Sequence, residues 1–215
     1  MGSPVKRPGL FDSIAGAFTI MSDRGFDRRY GTRTRLSIFK VIQDPATRGP
    51  QPTPERVAQD ALAALPDDRS GVFLDIGSGG GRIVLMAHER GWKEIVGVEK
   101  SGEAVAQARE NLRAYAAATG SDTASVTLVE RDAASFDPPE QTRTVFLFNP
   151  FGKETTEAFV ERLQPVAARS RGALRVVYVF PVFGNIFDSC PEFQLETVGK
   201  TGGFPWVVFR ATPPG

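Results

Sequence analysis

The stretch from Val72 to Lys100, VFLDIGSGGGRIVLMAHERGWKEIVGVEK, constrains the fold of this chain most. A short apolar run, Val72 to Ile76, breaks on Gly77, Gly79, Gly80 and Gly81. From Arg82 to Glu89 the residues Ile83, Val84, Met86 and Ala87 recur at helical spacing, and Gly91 closes the segment as a helix-ending glycine does. A second strand, Glu94 to Val98, ends on Glu99. Strand, loop, helix and strand in that order predict a right-handed crossover within a parallel sheet. Ligands of such sheets sit beyond the carboxyl ends of the strands, where the glycine loop and Glu99 both fall.

Glycine spacing narrows the ligand. A dinucleotide fingerprint needs G-x-G-x-x-G, with the last glycine letting the helix press on the sheet. Here that position is Arg82. Asp75 is instead followed by Gly77, Gly79 and Gly81 at alternate positions, and this pattern resembles the first motif of the class I S-adenosylmethionine-dependent methyltransferases. The resemblance implies a loop passing under a cofactor that has no phosphates. It also implies that the acid ending the second strand, Glu99 with Lys100 beside it, takes the ribose hydroxyls. A carboxylate has enough lone-pair sites to accept from both.

At 215 residues the chain is long enough for one full core, and its 41% hydrophobic and 24% charged content is ordinary for a globular protein. Lys+Arg 26 against Asp+Glu 25 leaves a net charge of +1, which gives no electrostatic case for a dedicated nucleic-acid binder. The single cysteine, Cys190, excludes an internal disulfide and a cysteine-based zinc cluster, and is read as a small buried residue. Lys6 and Arg7 precede an apolar patch that Asp12 interrupts, so the start is read as that of a cytoplasmic protein. No run approaches the ~20 apolar residues of a membrane span.

Residues 1–52 differ in character from the rest and are read as an N-terminal cap, with residues 53–215 as the cofactor-binding domain. Leu10, Phe11, Ile14, Ala17, Phe18 and Met21 predict an amphipathic helix. Phe26 to Arg35 is dense in charge and aromatics. It reads as a solvated loop, or, through Tyr30-Gly31-Thr32, as the cover that methyltransferases place over cofactor and acceptor. Asp44 to Pro54 reads as a Pro- and Gly-rich connection. Thr53 then predicts an N-cap with Pro54 at the first helical position, and the resemblance adds a cofactor contact for Thr53.

A helix is predicted over Gly102–Ala118, ended by Gly120, and a third strand over Val126–Glu130. By resemblance Asp132 receives the adenine amino group and Ala133 backs the ring, although an Asp before a turn also serves turn chemistry alone. The strand Thr144–Phe148 ends in Asn149-Pro150-Phe151-Gly152, similar to the (N/D)-P-P-(F/Y) motif of amino-group methyltransferases but with one proline. There the Asn binds the target nitrogen and the aromatic ring stacks on it; Asn before Pro also starts turns without any ligand. A helix from Lys153 to Ser170, a buried strand from Leu174 to Phe180 and a hairpin turning at Gly199–Gly203 complete the pattern. Val182 to Pro191 reads as irregular.

The expected architecture is therefore α/β and Rossmann-like: a seven-stranded, mostly parallel sheet with a terminal antiparallel hairpin and an N-terminal helical cap. Leu74 to Gly79, Gly97 to Lys100, Tyr30-Gly31 and Phe148 to Gly152 are also similar to the histone-lysine methyltransferases that lack a SET domain, a hint that the acceptor is nitrogen. Methyl transfer to a neutral amine needs no general base, and the chain offers no obvious acid-base pair; its only histidine, His88, is read as structural. Arg28, Arg29, Arg33 and Arg35 suit a carboxylate or phosphate of an acceptor, or a solvated face. Two readings stand. One is a methyltransferase for a small molecule or protein side chain, with Asn149, Phe151 and Tyr30 at the acceptor. The other is a non-catalytic S-adenosylmethionine-binding module, and a nicotinamide dehydrogenase is opposed by Arg82.

Overall fold

The computed structural model describes residues 25–35, 52–148 and 151–212. Among the described residues two helices come first, α1 (Gly25–Tyr30) and α2 (Glu55–Ala63), followed by β1 (Val72–Ile76), α3 (Arg82–Glu89), β2 (Glu94–Glu99), α4 (Gly102–Thr119) and β3 (Val126–Glu130). A one-turn 3-10 helix, Ala133–Ser135, leads into β4 (Thr142–Phe148), α5 (Lys153–Arg169), β5 (Arg175–Val179), α6 (Gly184–Asp188), β6 (Phe193–Thr201) and β7 (Phe204–Ala211). The strands form one seven-stranded sheet in the order β3-β2-β1-β4-β5-β7-β6. Strands β1 to β5 pair in parallel, and β7 runs antiparallel to both β5 and β6. The expected sheet with its closing hairpin is the one observed.

Burial explains why the central strands are apolar without alternation. Along β1, Phe73 enters one core cluster while Leu74 and Ile76 enter another. Along β5, Val177 and Val179 go to the first cluster and Val176 and Tyr178 to the second. Alternate residues thus serve opposite faces, both covered, as buried parallel sheets require. Phe26 and Tyr30 of α1 share the first cluster with α2 and α3. The sheet reverses its winding between β2 and β4, on either side of β1, which makes the carboxyl end of β1 the crevice where such folds take ligands.

Several local expectations change. Pro54, not Thr53, is the N-cap of α2, and no side chain caps that end; Thr53 is 3% exposed and turned inward. The stretch from Phe26 begins as helix α1, because Phe26 and Tyr30, four apart, bury one face together. Helix α6 lies within the segment expected to be irregular; Phe187 stacks on Phe209 there, a tertiary contact with no local signal. The hairpin turn shrinks to Gly202-Gly203, with φ of +54° and +84°, the two positive angles that a tight two-residue hairpin demands. The helix expected at residues 10–21 lies outside the described residues.

Candidate active site

The glycine loop leaves β1 and crosses the end of β2. The amides of Gly77 and Ser78 donate to the Val98 carbonyl, 2.8 and 3.0 Å, extending the pairing one step past the strands. Gly79 then turns with φ +49°, and its amide donates to Glu99 Oε2 at 3.0 Å. The other Glu99 oxygen accepts from the Ser101 amide at 2.9 Å. One carboxylate is therefore fixed at the carboxyl edge by two backbone donors, part-buried and with lone pairs left over on each oxygen. Gly81, φ +83°, opens α3, and a Cβ there would stand 3.2 Å from Ala108 of α4. On β2, a Cβ at Gly97 would stand 2.8 Å from Val84 Cγ2, so the loop helix lies hard against the sheet.

Asp75 sits under this loop, 3% exposed. Its Oδ2 finds no hydrogen-bond partner among the described residues. Burial, and secondarily the charge of Glu99, raises its pKa well above the ordinary carboxylate range. A buried acid without a full set of partners is costly. At the neighbouring strand ends, Lys100 Nζ pairs with Asp132 Oδ2 at 2.8 Å, and Asp132 Oδ1 accepts from the Ala134 amide at 2.9 Å. That Lys100 contact and the amide hold the Asp132 carboxyl below its usual pKa. Ala133 is buried immediately after it. The structure places Gly77, Gly79, Gly81, Glu99, Lys100, Asp132 and Ala133 at one edge of the sheet, with Asp75 buried beneath the loop.

Residues 73–169 match the family model described as a methyltransferase domain. This stretch, a little under half of the chain, is similar to a methyltransferase domain. The release factor glutamine methyltransferases of Escherichia coli (strain K12) and Shigella flexneri are each 40% identical over 74 residues, 34% of this chain and 26% of theirs. The chain thus spans about a quarter of the length of these curated relatives. Among solved structures, the Escherichia coli protein yhhF is 17% identical with TM-score 0.60, covering 76% of this chain and 89% of that one. An RNA methyltransferase from Salinibacter ruber, in complex with S-adenosyl-L-homocysteine, is 21% identical with TM-score 0.57, covering 75% and 94%.

The second half of the edge, at the ends of β4 and β5, is aromatic. Phe148 and Phe180 meet Phe204 edge-on, with ring centroids 5.6 and 6.0 Å apart. Phe180 holds φ +54°, a left-handed conformation that costs a bulky residue roughly 1–2 kcal/mol. Its amide donates to the Pro205 carbonyl at 2.7 Å, which ties the strained residue to the start of β7. Phe151 is half-buried against the second core cluster, and Gly152 behind it caps α5. Asn149 and Pro150 lie outside the described residues.

Tyr30 does not belong to this edge. Its hydroxyl donates to Glu89, at the far end of α3 from the glycine loop, and its ring packs against Phe26 and Tyr115. The proposed role for Tyr30 at cofactor or acceptor is corrected accordingly, and the Tyr-Gly element of the likeness to non-SET histone methyltransferases goes with it. Helix α1 buries its aromatic face and so draws Tyr30 away from the edge. Thr53 contributes a carbonyl to Arg82 rather than a cap. His88 bridges the Tyr115 hydroxyl and the Asp122 carbonyl, a structural role, and Cys190 is buried with its thiol directed at Glu192.

The residue least anticipated is Arg82, noted from sequence only as a non-glycine. It is 2% exposed and bonds Asp27, Thr34 and Thr53, all upstream of the sheet. Phe180 was equally unmarked, since nothing in a β-branched strand signals that its last aromatic will turn left-handed. No described helix is long and apolar enough to cross a membrane.

Proposed function

We propose that this chain transfers a methyl group from S-adenosylmethionine to a nitrogen atom of a small molecule or a protein side chain. The observation that carries the reading is Glu99, a carboxylate locked at the end of β2 by the Gly79 and Ser101 amides. Its remaining lone pairs suit the two hydroxyls of a ribose. The unpartnered Asp75 Oδ2 suits an ammonium or amide donor nearby, and the buried Ala133 suits the flat face of a purine. The cofactor supplies an activated methyl on a sulfonium.

What the protein adds is alignment and dryness. Holding acceptor and methyl in line removes the entropy of finding one another, and the aromatic half of the edge excludes water from a transfer that disperses charge. A neutral nitrogen needs no base, only an orienting acceptor, for which Asn149 and the carbonyl beside it are the candidates, with Phe151 packing on the acceptor. Nitrogen as acceptor also draws support from the relatives named for glutamine methylation. Residues 1–52 are proposed as the cap over the acceptor side and residues 53–215 as the cofactor-binding domain.

The test is formation of S-adenosylhomocysteine when purified protein meets S-adenosylmethionine and separate pools of peptide, RNA and small-molecule amines. Asn149→Ala should abolish the product while calorimetry still records cofactor binding. Binding without turnover on any pool would instead favour a non-catalytic S-adenosylmethionine-binding module.

A further inference from the structure

The glycine loop is gripped from behind as well as in front. On its front, Gly79 is tied to Glu99. Behind it, the Gly80 carbonyl accepts from Asn111 Nδ2 at 2.8 Å, and Asn111 Oδ1 accepts from the Arg33 amide at 2.7 Å. Residues 33–34 lie directly on the turn, since a Cβ at Gly80 would stand 2.9 Å from the Thr34 carbonyl oxygen.

Arg82, two residues further on, fastens that contact. Its Nε donates to Thr34 Oγ1 at 2.8 Å, Nη1 to the Thr53 carbonyl at 3.2 Å and Nη2 to Asp27 Oδ2 at 3.4 Å. Asp27 Oδ1 in turn gathers the Thr32 hydroxyl, the Thr34 amide and the Thr34 hydroxyl within 3.0 Å. A buried guanidinium is expensive and persists only where its donors are matched. Here, among the described residues, they meet Asp27, Thr34 and Thr53, upstream of the sheet, while the side chain itself grows from the first residue of α3. Had packing alone been needed at that position, an apolar residue would fill it at lower cost.

We propose that Arg82 is a positioning residue for cofactor binding: it clamps residues 27–34 and Thr53 against the back of the glycine loop, so that the loop presents Gly79 and Glu99 in binding geometry. The inference rests on the cofactor reading above. Occupation of the loop and docking of residues 27–34 are then two sides of one equilibrium, each favouring the other.

Calorimetry with S-adenosylhomocysteine tests it on the full chain. Arg82→Met keeps the apolar stem and removes the donors; it should weaken binding at least tenfold among folded molecules. Thr34→Val, which removes one hydroxyl at nearly constant volume, should weaken it about threefold and decides the matter if Arg82→Met fails to fold. A second reading separates positioning from mere stability. In the wild-type chain S-adenosylhomocysteine should slow tryptic cleavage at the exposed Arg28 and Arg33, and in Thr34→Val that protection should shrink. Unchanged affinity in folded variants, or protection identical to wild type, would overturn the proposal while leaving the cofactor reading intact. No binding to the wild-type chain would overturn both.

Discussion

The carboxyl edge of the sheet has two halves built on different principles. Around β1, β2 and β3 it is polar and made of backbone: glycine amides, strand-end carboxylates, and hydrogen bonds of 2.8–3.0 Å that extend the sheet pairing into the loop. Around β4, β5 and β7 it is made of rings, Phe148, Phe180 and Phe204, with one residue held in a left-handed conformation. The first half suits a ligand that is always the same, because backbone donors and a single acid leave little to vary. The second half suits a ligand specified by shape, because side chains alone define it, and strain at Phe180 persists only where surrounding contacts over-determine it.

The polar half should break hardest. Glu99→Ala removes both proposed ribose acceptors and also the anchor of the Gly79 amide. The loss expected is roughly 2–4 kcal/mol for charge-assisted hydrogen bonds, or about 30- to 1000-fold in S-adenosylhomocysteine affinity by calorimetry. Retained affinity would remove the basis of the contrast altogether.

Asp75→Asn should separate stability from binding. A raised folded pKa means the native state holds the proton more tightly than the unfolded chain. The contribution of Asp75 is therefore most favourable in acid and is lost as pH rises from the ordinary aspartate value of 3.8 through the raised folded value. Asparagine does not titrate. The variant should gain on wild type in urea unfolding over that window, while binding the cofactor more weakly. A variant equally stable at every pH would show that Asp75 carries no unmet charge.

These two halves also differ in how far the sequence discloses them. The glycine loop, Asp75, Glu99 and Asp132 are local signals, because each stands within a few residues of the end of its own strand, and the parallel sheet brings those ends to one edge. The seven strands and the terminal hairpin are legible from the same kind of signal, apolar runs bounded by turn residues. Tyr30 misled, since a Tyr-Gly pair looks alike whether it covers a ligand or ends a helix whose aromatic face is buried. Arg82 was hidden because its partners, Asp27, Thr34 and Thr53, are 29 to 55 residues away, and no periodicity announces such a contact. Phe180 was hidden because its φ is set by the Pro205 carbonyl from another strand.

A smaller effect sharpens the aromatic half. Phe180→Ala and Phe180→Gly both delete the ring, but only glycine adopts φ +54° freely. The glycine variant should therefore be the more stable of the two by about 1 kcal/mol in urea unfolding. Methyl transfer should fall to the same degree in both, because each lacks the same ring. A glycine variant no more stable than alanine would mean that the conformation carries no strain.

The smallest effect is expected at the ion pair between the strand ends. Lys100 is exposed, so losing its pairing with Asp132 should lower the neutral-pH unfolding midpoint only slightly in Lys100→Ala, as surface pairs commonly do. That small difference should fade in acid. Asp132 is held below its ordinary pKa first by Lys100 and then by the Ala134 amide. That stabilising contribution is present above the unfolded aspartate pKa and is lost as pH falls through the depressed folded value. Without Lys100 only the amide remains, the folded value rises toward ordinary, and acid unfolding should begin at a slightly higher pH. A circular-dichroism acid titration identical to wild type would show that the amide alone sets Asp132. The polar half would then be organised by backbone donors throughout.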